Sequence, residues 1–422
     1  MRTALICNDT RGGIQPYLAL AIELKSRGDD VRFIAPEGYT RLAEEVLQPH
    51  GISFCGLPGD VEAVLRKPEV AQQMEKGFWA THRLMIQYAT SAMCDSMRTG
   101  LAAAEHSDRL IGGFGGMLVG ESIAEKLKIP FIQAHLQPLT TTGEYPGLLA
   151  PTWLPRSIKP LNRWTHSASR QIFWQAMRPA LNTARKTILD LAPIRFWGNV
   201  GRQRSPGELL LYGYSAALLP QPVDWPRGAH VTGYWFLDRP ADWQPLEELV
   251  RFLEAGPPPV AIGFGSMSSR DAGVMTKLVL EAVQLAGQRV VLLSGWGGLP
   301  ETSLSEWAYA LDSCPHDWLF PQCSLAVHHG GAGTTGAALR AGLPSIVIPY
   351  GADQYFWAAR LQEKQLGISL GSRTTVTSHQ LAQAIQLLLD NPEYQLRSQA
   401  CAQFIEQENG VQRAADLLMN SR

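Results

Sequence analysis

The residues best suited to chemistry stand in one glycine-rich segment, His328-His329-Gly330-Gly331-Ala332-Gly333-Thr334-Thr335. An apolar run that ends at Val327 precedes the segment, and a run of helical character up to Arg340 follows it. Such a turn from strand to helix lets backbone N–H groups approach an anion at the positive end of the helix. The segment lacks the lysine of a triphosphate-binding loop, and no acidic residue has the spacing that grips a ribose in a dinucleotide fold. The pattern therefore predicts a site for phosphate groups.

A second polar pair, Asp353-Gln354, follows another apolar run, Ser345 to Ile348. A carboxylate and a carboxamide can each bond neighbouring hydroxyl groups. Phosphate-binding amides followed by a hydroxyl-binding pair suit a sugar nucleotide. We therefore expect the glycine-rich turn to hold the phosphates and Asp353 with Gln354 to hold the sugar.

Together, the run from His328 to Trp357-Ala358 and the upstream segment Pro315 to Phe320 resemble the donor signature of family-1 glycosyltransferases. The closest likeness is to the branch that glucosylates sterols and other lipophilic acceptors. This resemblance implies the GT-B fold, in which two doubly wound Rossmann-like α/β domains face each other across a cleft. It also implies inverting transfer of a sugar, with glucose expected, from a UDP-sugar to a hydroxyl of a lipophilic or aromatic small molecule.

The resemblance also implies roles for single residues around the donor. His328 contacts the phosphate and His329 orients the loop, a second glycine turn after the run Val260 to Phe264 faces the diphosphate, and a segment beginning at Cys314 borders the uracil. No metal is expected, because the chain lacks an Asp-x-Asp pair and a helix end can neutralise the diphosphate instead. The expected donor-binding residues are Gly265, Ser266, Cys314, Pro315, His316, His328, Gly330, Gly331, Ala332, Gly333, Thr334, Thr335, Asp353 and Gln354.

The opening loop, Asn8 to Pro16, departs from the family pattern. In similar enzymes an Asp or His in this loop serves as the general base, but here Gly13 stands at that position. General-base assistance contributes about 10²–10⁴-fold to a rate, so its loss would slow attack by an alcohol severely. A phenol or carboxylate, which ionises unaided, would be affected less.

Three interpretations of Gly13 remain open. The acceptor needs no strong base or the base lies elsewhere, a substitution has removed the base, or the protein binds a sugar nucleotide without turnover. Asp9 in the same loop and His135 at the end of a predicted strand are the candidate substitutes, although each also suits a structural role. An epimerase of the same architecture is a weaker alternative.

Large apolar side chains outside the alternating strand and helix pattern are candidates for the acceptor pocket. They are Trp79, Met85, Tyr88, Tyr145 and Trp153. Such side chains suit a flat or lipophilic acceptor. Packing in the domain core is the alternative for each of them.

Short apolar runs alternate with helical patterns in both halves of the chain, which predicts parallel sheets covered by helices. We expect an acceptor-binding domain over residues 1–238 and a nucleotide-sugar-binding domain over 239–410, with the boundary near Asp238-Arg239-Pro240. The tail, 411–422, is expected to form a helix that packs back on the first domain.

Composition narrows the class of protein. The chain has 422 residues, and two domains are the natural expectation at that length. Charged residues make up 18% and the formal net charge is −1, so nothing favours nucleic acid as a partner. Six scattered cysteines indicate free thiols in a reducing compartment. With neither a signal peptide nor a membrane-spanning run in the sequence, we expect a cytoplasmic location.

Overall fold

The computed structural model describes residues 1–58, 78–150, 154–198, 207–264, 272–293, 302–351 and 353–421. The backbone divides into two compact units. Unit 1 comprises Met1–Gly213, Gln221–Val231 and Val411–Arg422, and unit 2 comprises Tyr214–Pro220 and Thr232–Gly410. Within these described residues, no helix is both long enough and apolar enough to cross a membrane.

The main passage between the units falls at Thr232, a few residues before the boundary predicted at residue 239. The irregular segment that suggested the boundary is already part of unit 2. Asp238 pairs with Arg340 at 2.5 Å, and Arg239 pairs with Asp317 at 2.7 Å. The tail, which was expected to return to the first domain, is grouped with unit 1.

Unit 1 is built on a sheet with the strand order β3-β2-β1-β4-β5-β6-β7, in which the described pairs are all parallel. The strands are β1 (Arg2–Ile6), β2 (Asp30–Pro36), β3 (Ser53–Leu57), β4 (Arg109–Gly112), β5 (Phe131–His135), β6 (Leu210–Tyr212) and β7 (Ala229–Val231). The order reverses between β1 and β4, so the loops after these two strands diverge at a topological switch point.

The helices of unit 1 cover the sheet. They are α1 (Arg11–Ser26), α2 (Thr40–Leu47), α3 (Phe78–Ala104), α4 (Met117–Leu127) and α5 (Lys159–Ile188). The helix α5 runs for 30 residues although its sequence contains Pro160 and Pro179. Pro160 is compatible with this helix because it lies in the first turn, where no intrahelical N–H is needed.

Unit 2 repeats the arrangement with the strand order β10-β11-β9-β8-β12-β13-β14. Its strands are β8 (Val260–Gly263), β9 (Val290–Leu293), β10 (Thr302–Ser305), β11 (Ala308–Leu311), β12 (Leu325–His328), β13 (Ser345–Val347) and β14 (Gly367–Ser369). The pair β10–β11 is antiparallel, and the other described pairs are parallel.

Helices also flank the sheet of unit 2. They are α6 (Glu247–Glu254), α7 (Ala272–Leu285), α8 (His316–Leu319), α9 (Ala332–Arg340), α10 (Gln354–Glu363), α11 (Ser378–Asp390) and α12 (Pro392–Glu408). The last helix, α13 (Gly410–Asn420), leads into unit 1. The predicted fold class, two doubly wound α/β domains, is confirmed.

A buried ion pair joins the last helix to the sheet of unit 1. The Arg109 guanidinium, 2% exposed, donates to Asp29 at 2.7 Å and to Thr3 at 2.9 Å, and its remaining nitrogen donates to the Leu418 carbonyl at 2.6 Å. Burial raises the pKa of Asp29, but hydrogen bonds from Thr3, the N-terminal amine and Arg109 outweigh it and lower the pKa overall. The charged carboxylate holds the Arg109 guanidinium, which therefore fixes α13 to the sheet of unit 1.

Candidate active site

The strands that precede the two glycine-rich segments of unit 2 lie side by side at the centre of its sheet. His328 ends β12 and is the register partner of Gly263, which ends β8. Since β8 pairs with β9 on its other side, this is the switch point of the sheet, where open α/β folds bind ligands. The predicted donor residues Gly265 and Ser266 lie outside the described residues.

The backbone between β12 and α9 requires glycine at residue 330. Gly330 has φ +87°, a left-handed conformation, and a Cβ there would lie 2.7 Å from the Val347 side chain. Gly331 has an extended backbone, but a Cβ there would lie 2.5 Å from Nε2 of His329, so the His329 ring covers this turn.

The first turn of α9 contains backbone amides that lack hydrogen-bond partners within the helix. The first helical bond runs from the Thr335 N–H to the Gly331 carbonyl at 2.9 Å. The amides of Ala332, Gly333 and Thr334 precede it and therefore have no partner within the helix. Among the described residues, none accepts a hydrogen bond from them. Three such amides at the positive end of a helix form an anion site.

His328 adds a neutral donor to this site. Its Nδ1 accepts a hydrogen bond from the Gly330 N–H at 3.0 Å, so the proton of the neutral ring resides on Nε2. Burial, together with repulsion from His329 and His316, lowers the pKa of His328 to about 3. In the part of the chain that the structure describes, the buried Nε2 has no hydrogen-bond partner. A ligand oxygen would satisfy it.

Thr335 is a further buried polar group at the helix start. Its side chain is fully buried, and its hydroxyl finds no partner among the described residues. Thr334 is only half-buried. The roles predicted for both hydroxyls toward a diphosphate stay predictions.

The loop before α8 adjoins the same site. Pro315 caps α8, and the half-buried His316 ring stacks on Phe320 with centroids 4.4 Å apart. The effect of His316 on the pKa of His328 indicates that the two rings are near each other. Cys314 is 9% exposed, and burial raises the pKa of its thiol to about 12. The thiol is therefore protonated at neutral pH and can contribute only as a neutral contact.

Asp353 and Gln354 were both predicted to bind the sugar, but their hydrogen bonds in the structure differ. The Gln354 side-chain carbonyl accepts from the Tyr350 and Gly351 amides at 2.7 and 3.1 Å, so it holds the loop and leaves only its NH₂ group for a sugar. Oδ2 of Asp353 accepts from the indole N–H of the fully buried Trp357 at 3.0 Å. Trp357 thereby orients a half-exposed carboxylate.

Two groups at this sheet edge were missed in the sequence analysis. The Tyr350 ring packs against Phe264, with centroids 5.6 Å apart, and so joins the loops that follow β13 and β8. The Arg373 guanidinium lies 5.1 Å from the centre of the Tyr350 ring. Arg373 follows β14, which belongs to the same sheet as β8 and β12. This position after the end of a strand is the one sequence feature that could have marked Arg373 as a candidate site residue.

In unit 1, Asp9 lies directly beside the position of the absent base. A Cβ on Gly13 would overlap Cγ of Asp9 and lie 2.6 Å from its Oδ2. The Thr10 amide donates to Oδ1 at 2.8 Å and holds the carboxylate in the loop before α1. Asp9 is half-exposed, whereas Gly13 is buried. The Asp9 carboxylate thus occupies the space that a side chain at residue 13 would enter.

His135, the other candidate substitute, is poorly placed for a base. It is 1% exposed, and its Nε2 contacts Gln133 Oε1 at 3.0 Å within the sheet. Burial lowers the pKa of His135 to about 3, so the ring is a weak proton acceptor. These features favour the structural interpretation of His135.

Tyr145 is the one predicted acceptor residue whose side chain the structure describes. Tyr145 is 3% exposed, and its ring packs on His166 with centroids 5.8 Å apart, as expected of a core residue. The helix α3 carries Trp79, Met85 and Tyr88, but these side chains lie outside the described part of the structure, as does Trp153. Among the described residues, no three His, Cys, Asp or Glu side chains gather as potential metal ligands.

Two families match separate parts of the chain. Residues 4–146 match the family described as the glycosyltransferase family 28 N-terminal domain. Residues 301–410 match the C-terminal domain described as erythromycin biosynthesis protein CIII-like. The first match lies within unit 1, and the second lies within unit 2.

Solved structures show the same fold class. The calicheamicin glycosyltransferase CalG4 is 17% identical, with a TM-score of 0.65 over 100% of this chain and 98% of that chain. SsfS6 from Streptomyces sp. SF2575, complexed with thymidine diphosphate, is also 17% identical, with a TM-score of 0.63 over 100% and 99%. The fold is therefore that of the two-domain GT-B glycosyltransferases.

Curated relatives define the family. Sterol 3-beta-glucosyltransferase of Cryptococcus neoformans is 33% identical over 99% of this chain and 27% of its own length. Sterol 3-beta-glucosyltransferases UGT80A2 and UGT80B1 of Arabidopsis thaliana are 32% and 31% identical over 97% and 99% of this chain. The chain spans 64% and 67% of those two proteins. It belongs to the sterol glucosyltransferase family, and the resemblance predicted from the sequence is confirmed.

We predict that His328 and His135 stay uncharged between about pH 5 and 8, because burial disfavours each imidazolium. The ¹⁵N resonances of both rings, assigned with His→Gln variants, should be constant over this range. In the urea-unfolded chain the same rings should titrate with a pKa of about 6.5. The unfolded state then takes up protons first, so stability falls as the pH drops below that value. Titration of His328 near neutrality in the folded protein would contradict its role as a neutral donor.

Proposed function

We propose that this protein transfers a sugar, with glucose expected, from a UDP-sugar to a hydroxyl of a lipophilic small molecule. The observation that carries the proposal is that three amides of α9 and Nε2 of His328, all at or directly after the end of β12, lack hydrogen-bond partners among the described residues. The family relationship supports the sugar donor and the class of acceptor. Asp353, oriented by Trp357, is proposed to bind sugar hydroxyls.

The proposed donor site works by stabilising the leaving group. As the bond from the anomeric carbon to the diphosphate oxygen breaks, its electron pair departs with UDP. Amides and a helix dipole that already point at the developing charge stabilise it without reorganisation. We propose that they act without a metal ion, and that the amides of Ala332 to Thr334 and Nε2 of His328 supply the hydrogen bonds.

We further propose that Asp9 is the general base. The acceptor oxygen would attack the anomeric carbon from the face opposite the diphosphate, which inverts the configuration, and its proton would pass to the Asp9 carboxylate. The support is positional, since Asp9 occupies the space beside Gly13, where the base stands in similar enzymes. The Thr10 amide holds one oxygen of this carboxylate in place.

The alternative is a protein that binds a sugar nucleotide without turnover. One observation favours it, namely the presence of glycine where the family base is expected. The two proposals share the donor site and differ only in what Asp9 does. Variants at residues 9 and 13 therefore distinguish them.

The donor site predicts a loss of UDP affinity when His328 is replaced. His328→Ala should weaken binding by about 1–3 kcal/mol, the scale of one hydrogen bond to a charged group. Isothermal titration calorimetry measures this, with the exposed His379→Ala as the matched control. UDP affinity should also be the same with and without EDTA. An unchanged affinity of His328→Ala, or a large loss on chelation, would contradict the proposed site.

The base assignment predicts that Asp9→Asn lowers turnover with an alcohol acceptor by about 10²–10⁴-fold and leaves UDP affinity within a few-fold. Gly13→Asp alone should not raise activity, because the new side chain would collide with Asp9. The swap Asp9→Gly with Gly13→Asp should recover turnover relative to Asp9→Gly alone. Product formation is followed by mass spectrometry.

Full turnover by Asp9→Asn would exclude Asp9 as the base. Absence of transfer by the unaltered chain and by the swap variant, across sterol, phenol and alcohol acceptors, would favour the binding protein. In that outcome, UDP binding by the unaltered chain and by the swap variant serves as the control, because it shows that their donor sites are intact.

A further inference from the structure

The helix α5 has a one-sided charge. Its 30 residues include six cations and no carboxylate, whereas the whole chain has a formal net charge of −1. The cations are Lys159, Arg163, Arg170, Arg178, Arg185 and Lys186. A positive bias confined to one helix points to an anionic partner.

Large apolar side chains lie exposed beside these cations. Trp164 and Ile172 of α5 are 63% and 64% exposed, and Phe196 and Trp197, in the segment after the helix, are 48% and 75% exposed. The name aromatic patch is used below for these four residues. Two indole rings, a phenyl ring and an isoleucine side chain on the surface of one structural unit go beyond the scattered apolar residues of an ordinary surface.

Hydrogen bonds place the aromatic patch on one side of α5. Positions 164, 168, 171 and 175 follow each other at helical spacing and form one stripe. Gln171 and Gln175, at the far end of this stripe, donate from their side chains to the Phe196 carbonyl at 3.0 and 2.7 Å. Phe196 and Trp197 therefore continue the line that begins at Trp164, and Ile172 lies on the adjoining turn.

The aromatic patch is anchored to the core of unit 1. The indole N–H of Trp174, which is 2% exposed, donates to the Phe196 carbonyl at 2.9 Å. The Arg178 guanidinium lies 5.4 Å from the centre of the Phe196 ring. The Phe196 and Trp197 rings meet edge to face at 5.0 Å. The exposure of these rings is thus built into the packing of α5.

Exposed cations lie along the same segment, and they are Lys159, Arg163, Lys186 and Arg195. Arg163 shares its charge with Asp224 at 2.8 Å, and Arg185 is buried against Glu125, so Arg185 does not contribute to the surface. In the interval 154–198, Asp190 is the one acidic residue in the sequence. Tryptophan and isoleucine beside lysine and arginine suit the interface of an anionic bilayer, where apolar side chains enter the acyl boundary and cations meet headgroups.

We propose that this face of unit 1 docks on the surface of an anionic phospholipid bilayer, with the aromatic patch in the interface and the exposed cations on the headgroups. The charge bias of α5 selects a bilayer over a second copy of this chain, because two such faces would repel each other. The proposal stands on α5 and the segment that follows it, and it does not depend on sugar transfer. It is also compatible with a lipophilic acceptor, which would reside in a bilayer.

Vesicle sedimentation tests the proposal with the full chain. Phosphatidylcholine vesicles that contain phosphatidylserine should bind the protein in low salt, and pure phosphatidylcholine vesicles should bind it far more weakly. Trp164→Ser with Trp197→Ser should reduce binding at least tenfold. Lys186→Gln and Arg195→Gln should each reduce it by about fivefold and weaken its salt dependence.

The matched control is Leu396→Ser with Phe404→Ser in unit 2, since these side chains are 57% and 48% exposed and lie far from α5 in sequence. This control variant should bind anionic vesicles as strongly as the unaltered chain does. Thermal unfolding should show that all variants are folded. Equal binding to neutral and anionic vesicles, no binding to either, or equal losses in the control would overturn the proposal. A dimer that the tryptophan variants convert to monomer, with vesicle binding unchanged, would instead assign the face to a second copy.

Discussion

The hydrogen bond from the Gly330 amide to Nδ1 of His328 is the constraint on which the candidate site depends. It fixes the ring as the Nε2–H tautomer, and burial keeps that ring neutral. The bond requires the left-handed backbone of Gly330, which in turn directs the chain into α9 at Ala332. One local geometry thus provides a side-chain donor and three helix-end amides together. A shared target of negative charge is favoured, because each group offers a proton at the positive end of a helix and none carries a negative charge.

In unit 1 we propose that the general base has moved from residue 13 to residue 9 while the fold is kept. Residue 13 is buried in the first turn of α1, and the carboxylate of Asp9 fills the adjacent space. A side chain at residue 13 and the present position of Asp9 exclude each other. Glycine at residue 13 is therefore coupled to Asp9 by sterics, which makes the departure from the family pattern compatible with catalysis.

Much of this architecture could be predicted from the sequence, because buried parallel strands and glycine turns have strong local signatures. The strands β7 and β10 could not, since polar residues interrupt their apolar runs, which are only three and four residues long. The helix α5 was missed because its prolines and polar residues hide a pattern that tertiary packing completes. The motif predicts a set of donor-binding residues, but it does not indicate that the Gln354 side-chain carbonyl holds its own loop. The proximity of Asp9 to Gly13 depends on the path of the chain into α1, which no spacing rule supplies.

We propose that helix-end amides and a neutral His328 hold the diphosphate. The decisive measurement is a crystal structure of the protein with UDP bound. We expect phosphate oxygens about 2.7–3.2 Å from Nε2 of His328 and from the amides of Ala332, Gly333 and Thr334, with no cation between them. Phosphates bound elsewhere, or held through a metal ion on carboxylates, would contradict it.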